Sequence, residues 1–105
     1  VYVVDTYNHR VQKFNSDGDF LLQWGSKGTS DGQFVNPHGG AVDSFGNLYV
    51  VDTFNHRVQK FDGEGIFLGK FGSGGFGPGQ FYYPWDVAVD IAVGREFIGS
   101  SDIGG

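Results

Sequence analysis

The residues with the most chemical capacity sit in a motif that occurs twice. Asp5 is followed four and five positions later by His9 and Arg10, and Asp52 stands in the same relation to His56 and Arg57. Asn8 and Asn55 come immediately before the two histidines. A carboxylate, an imidazole and a guanidinium this close could make a polar binding face. The same residue types across a hairpin turn also make an ion pair that satisfies turn backbone groups. Both copies keep the whole set, and buried polar groups need partners of this sort, so the structural role is the reading adopted. The third histidine, His38, lies in Asn36-Pro37-His38-Gly39-Gly40-Ala41-Val42, at the entrance to a short apolar run. A lone imidazole there is either hydrogen-bonded or a metal ligand. Tyr82, Tyr83 and Trp85 precede the matching run and form an aromatic wall, able to stack on peptides, sugars or bases, or to fill space.

Other patterns dissolve on inspection. Residues 72–77 fit G-x-G-x-x-G, but Pro78-Gly79-Gln80 follows where a dinucleotide site needs a helix. Asp17-Gly18-Asp19 lacks the spacing and terminal Glu of a calcium loop and reads as a hairpin turn. No Ser/His/Asp triad or carboxylate pair emerges beyond accidental spacing.

The elements that must carry these residues follow from internal repetition. VYVVDTYNHRVQKF at 1–14 returns as LYVVDTFNHRVQKF at 48–61, an offset of 47 residues (Tyr2 onto Tyr49). Without gaps the register continues through Gly18/Gly65, Gly25/Gly72, Phe34/Phe81, Pro37/Pro84 and Asp43/Asp90. Four strands fit one unit: 39–43, 48–53, 56–61 and 66–71, joined by turns at 44–47, 54–55 and 62–65. The Gly-containing turns supply the positive φ angles that tight hairpins require. Tyr49, Val50 and Val51 are apolar in succession, which fits a sheet covered on both faces rather than one. Four short antiparallel strands at this period are the signature of a β-propeller blade. The fold class is therefore all-β, with two blades' worth of strands per chain.

The Asn8–Phe14 stretch and its copy at Asn55–Phe61, each preceded by a Tyr-Val-Val-Asp-Thr strand, resemble the NHL repeat family. The linker Gly32-Gln33-Phe34 before Pro37 and the Ala41-Val42-Asp43 strand resemble it too. The Gly-His and Trp-Asp dipeptides of WD-type propellers are missing. The resemblance covers roughly residues 1–94 and implies a ring, most often of about six blades.

Residues 1–94 supply strands two to four of one blade, one full blade, and the first strand of the next. The stretch 95–105 reads as the degenerate start of a further strand or a loose tail. Blades expose flat apolar sides unless neighbours stack on them. The expected partners are therefore other copies, as a homotrimer completing six blades with strand 86–90 beside a neighbour's 1–6, or further blades of a parent chain. Lacking Met and opening on Val1-Tyr2-Val3-Val4, the sequence reads as a fragment or processed product.

First strands of blades line a central channel, which puts His38, Tyr82, Tyr83 and Trp85 at its mouth as a candidate ligand site. The Pro37-His38 start resembles the zinc-ligating strand starts of peptidyl-amidating lyases, so zinc on His38 is the alternative, a metal-dependent lyase or hydrolase. Three copies of His38 around a threefold axis would suit such a site; Trp85 at the equivalent position argues against it. The leading expectation is a non-catalytic scaffold binding a protein, a peptide or another ligand, with no cofactor. An RNA-binding module is the third reading, disfavoured by a net charge of −5, since phosphates need a basic face. The absence of Cys excludes disulfides and thiolate metal sites. No apolar run approaches the length of a membrane helix, and the sequence leaves the compartment open.

Overall fold

The computed structural model describes residues 1–90 and 95–100, the end of the eighth strand and the whole ninth as backbone. The strands are β1 (Tyr2–Asp5), β2 (Arg10–Phe14), β3 (Phe20–Trp24), β4 (Gly39–Val42), β5 (Leu48–Asp52), β6 (Arg57–Phe61), β7 (Phe67–Phe71), β8 (Pro84–Asp90) and β9 (Arg95–Ser100). They form three antiparallel sheets in sequential order, β1-β2-β3, β4-β5-β6-β7 and β8-β9. No α-helix occurs among the described residues.

The two motif copies fold alike. Tyr2↔Lys13 through Asp5↔Arg10 pair in the first sheet as Tyr49↔Lys60 through Asp52↔Arg57 pair in the second. The expected turn at 54–55 is a single 3-10 turn, Thr53–Asn55, matched by Thr6–Asn8. His9 and His56 end these turns in the left-handed conformation, each at φ 54. The third strand therefore starts at Arg57 rather than at 56. The other hairpins are closed by Asn15, Asp43 and Asp62, whose side-chain oxygens each accept two backbone N–H groups of their own turn.

β5 is buried along its whole length, as its unbroken apolar run demands. Alternate residues feed two cores, because successive strand side chains point to opposite faces. Leu48 and Val50 join Val11, Phe34 and Phe61 between the first two sheets, flanked by Tyr2, Val4 and Trp24. Tyr49 and Val51 join Val58 and Val87 on the other side, against β8. Each linker sends one phenylalanine into these layers. Gly25 (φ +107) lies over the Phe34 ring, where a Cβ would come within 2.7 Å, and Gly72 (φ +96) lies over Phe81 in the same way.

Eight of the described strands lie within residues 1–94, and a ninth lies beyond them. Within the stretch 95–105, Arg95–Ser100 form β9 and pair with β8 from Asp90↔Arg95 to Pro84↔Ser100. Glu96 opposes Val89 where Leu48 opposes Val42, so the pairing is displaced by one residue from the 47-residue register. Residues 91–94 and 101–105 lie outside the described residues.

Candidate ligand-binding face

The Asp-His-Arg motif is consumed inside the sheet. Asp52 Oδ2 accepts from Arg57 Nε (2.8 Å), Asn55 Nδ2 (2.9 Å) and Gln59 Nε2 (3.2 Å), while Oδ1 accepts the Val35 amide (2.8 Å). The Arg57 guanidinium then donates to the carbonyls of Thr29, Ser30 and Gln33. Gln59 donates to the Gln33 carbonyl and accepts the Gly32 amide. No buried side-chain nitrogen or oxygen of this knot lacks a partner, which is what permits a carboxylate and a guanidinium to sit this deep. In the first copy Asp5 holds Asn8, Arg10 and Gln12 in the same way. The Asn8 amide foremost, helped by Arg10 and Gln12 against partial burial, keeps the Asp5 carboxyl below the usual range. Burial would raise Asp43 in its hairpin, but the N–H groups of Asn47 and Phe45 and the Tyr49 hydroxyl outweigh it and hold it low.

The two motif histidines act as latches. His9 Nδ1 accepts the amide of Asn36 and His56 Nδ1 accepts the amide of Tyr83, both at 3.0 Å. A backbone N–H leaves Nδ1 only the acceptor role, so the proton of each neutral ring sits on Nε2. Both latched residues have left-handed backbones, Asn36 at φ 47 and Tyr83 at φ 44. Asn tolerates that conformation through its short polar side chain. A tyrosine is costlier there, by about 1–2 kcal/mol.

His38 stands beside Trp85 as the repeat register requires, their rings edge-to-face at 4.3 Å. Its Nδ1 lies 3.0 Å from the Thr53 hydroxyl. A Cβ on Gly39 would lie 2.8 Å from the Trp85 carbonyl, so glycine there lets β4 and β8 converge. Among the described residues no three His, Cys, Asp or Glu side chains gather as a metal-holding group. A zinc site at His38 would therefore need ligands from beyond the described residues or from other copies. His38 also borders a cleft of about 710 Å³ between β1 and β4, lined by Val1–Val4 and Gly39–Val42.

Tyr82, Tyr83 and Trp85 are all exposed, and the structure adds Phe54 and Phe76 to them. Phe76 stacks on Tyr82 (4.9 Å, 28°), Tyr82 meets Tyr83 edge-on (4.9 Å), and Tyr83 meets Phe54 edge-on (5.5 Å). His56 backs the row, edge-on to Tyr83 at 4.5 Å. Sequence reasoning missed Phe54 and Phe76. The available signal was an aromatic at a turn position in both copies, Tyr7 and Phe54, where packing does not ask for one. Gln59 was missed as well, because it belongs to the knot only through the linker that folds over it.

Residues 34–61 match the NHL repeat model. The matched segment includes β4, β5 and β6, so the four-stranded sheet is a propeller blade and the chain is built from such blades. No curated protein matches the chain. Among solved structures, a structural genomics protein of unknown function from Bacteroides thetaiotaomicron superposes with a TM-score of 0.71 at 23% identity. The match covers 94% of this chain and 29% of that one, so the chain spans less than a third of the other's length. At that identity the likeness establishes the fold.

Proposed function

From the NHL repeat carried at residues 34–61, we propose that the chain is a non-catalytic propeller scaffold that binds a peptide or protein segment on the face where turns and linkers meet. One contrast supports this reading. The polar groups of the repeated motif are spent on one another and on linker carbonyls, whereas the rings of Phe54, Tyr82, Tyr83 and Trp85 remain exposed. Tyr and Trp carry large contact area at low entropic cost and dominate protein-binding hot spots. A rigid blade holding such rings on its loops is a sound platform for recognition.

The test exchanges one linker's chemistry for that of the other. Val35, Asn36 and His38 occupy the positions of Tyr82, Tyr83 and Trp85, so the variant Y82V/Y83N/W85H uses residues the same fold already accepts. A displayed random-peptide library is selected on the wild-type chain and the enriched peptides are titrated against both proteins. At least tenfold weaker binding to the variant is expected. Peptides that bind both equally, or a library from which none enriches, would remove the reading.

Assembly follows from the same scaffold. β1 is a sheet edge, and the first-strand position beside it opens onto the cleft next to β4. We propose that a first strand of another copy, or of a parent chain, pairs there. β9 and a neighbour's β1 compete for the same edge of β8, so ring closure by copies requires β9 to give way. Light scattering reads the outcome: a trimer supports closure by copies, and a monomer whose β1 amides exchange slowly would refute the open edge.

A further inference from the structure

The second linker carries the aromatic row at positions where the first carries smaller or polar residues. Where the first has Val35 and Asn36, the second has Tyr82 and Tyr83. The exchange places a bulky ring on a left-handed backbone that Asn occupies comfortably. Both tyrosines pack against neighbouring rings yet keep more than a third of their surface exposed, Tyr82 at 44% and Tyr83 at 37%. Strain retained at an exposed aromatic is the kind of outlier that marks a contact surface.

The rings also have a definite relief. Tyr82, Tyr83 and Phe54 stand successively edge-on, at 4.9 and 5.5 Å between centroids. Rings set crosswise leave ridges and notches instead of a flat wall. Notches of this kind can receive the rings of a polyproline II helix, which rises about 9 Å over three residues. Proline rings on one edge of such a helix fit aromatic notches and lose little entropy on binding.

Charge supplies the second requirement. Between Lys70 and Arg95 the sequence holds no cation, and Asp86, exposed beside Trp85, belongs to this stretch. The Lys70 ammonium is itself occupied by Asp31 at 2.7 Å. A stretch that carries exposed aromatic rings and the Asp86 carboxylate but no cation, on a chain of net charge −5, disfavours phosphates and favours a cationic ligand. Lys or Arg gains further from the faces of Tyr and Trp.

We infer that this face takes a basic, proline-bearing extended segment of a partner protein, with proline rings in the aromatic row and a Lys or Arg reaching Asp86. The inference rests on the peptide-binding reading above and adds the chemistry of the ligand. It is tested by titrating the full chain, followed by isothermal titration calorimetry, with a synthetic nonapeptide of sequence PPKPPRPPK. Its Lys/Arg→Gln and Pro→Ala counterparts and chitohexaose are run beside it. The parent peptide is expected to bind at least tenfold more tightly than either counterpart. D86N should weaken it about threefold and flatten its salt dependence, and Y82V/Y83N/W85H should abolish binding while the urea midpoint stays near wild type. Equal binding of the Gln counterpart, unchanged affinity in the triple variant, or binding of the sugar in place of the peptide would each overturn the inference. Library peptides that need the rings but lack proline and basic residues would defeat this inference alone. An empty library would defeat the binding reading with it.

Discussion

Val1–Phe14 and Leu48–Phe61 are nearly the same peptide in two surroundings. They differ only at Val1/Leu48 and Tyr7/Phe54, and their strands pair in the same register. Yet Val50 is fully buried while its equivalent Val3 is 45% exposed. The Asp52–Arg57 side chains are 0% and 9% exposed, and those of Asp5–Arg10 24% and 33%. What separates the copies is the layer in front of them. The first sheet and the linker 25–37 cover the second sheet, and no described residue covers the outer side of the first. The hydrogen bonds within the hairpin form in both places, so local sequence makes them. The guanidinium contacts to Thr29, Ser30 and Gln33 exist only where a linker lies overhead. A blade thus brings half of its polar knot and receives the other half from the unit before it.

The contrast can be broken at its strongest point by removing each carboxylate in turn. Asp52→Ala leaves Arg57 and Gln59 buried without their acceptor and should cost about 3–5 kcal/mol. Asp5→Ala, at a half-open pair, should cost about 1 kcal/mol or less. Urea titration of both variants measures the gap; equal losses would mean that the first copy is covered in solution. A smaller effect comes from the apolar face. Val50→Ala should cost about 2 kcal/mol through lost burial and a residual cavity, and Val3→Ala a few tenths. Running this pair above and below the concentration at which copies associate sharpens the test, since association would raise the cost at Val3. The smallest effect concerns Trp24, whose buried indole N–H has no acceptor among the described residues. The second copy carries Phe71 at that position. Trp24→Phe should therefore be neutral or stabilising by up to about 1 kcal/mol, because it removes an unmet donor; a loss in thermal midpoint would show that the indole finds a partner.

The strands were legible because periodicity and turn chemistry are local. Tyr49-Val50-Val51 told of burial on both faces, and each Gly- or Asx-closed hairpin fell where its residues demanded. The start at Arg57 instead of His56 was not legible, since the αL stop that ends the 3-10 turn depends on a bond between backbone groups. His56 and Tyr83 are 27 residues apart and meet only when the linker lies against the preceding turn. The same holds for the aromatic row. Tyr82, Tyr83 and Trp85 could be singled out as a group by composition, whereas Phe54 and Phe76 enter it from separate loops.

By itself the sequence determined the repeat, its strands and turns, the Asp–Arg partnership and the pairing of His38 with Trp85 as equivalents, because each follows from residue spacing along a regular backbone. The tertiary structure alone decided which copy is buried, which carbonyls Arg57 receives and which rings share a surface. Those outcomes depend on what packs against a blade, and a flat sheet of four short strands does not encode its own cover.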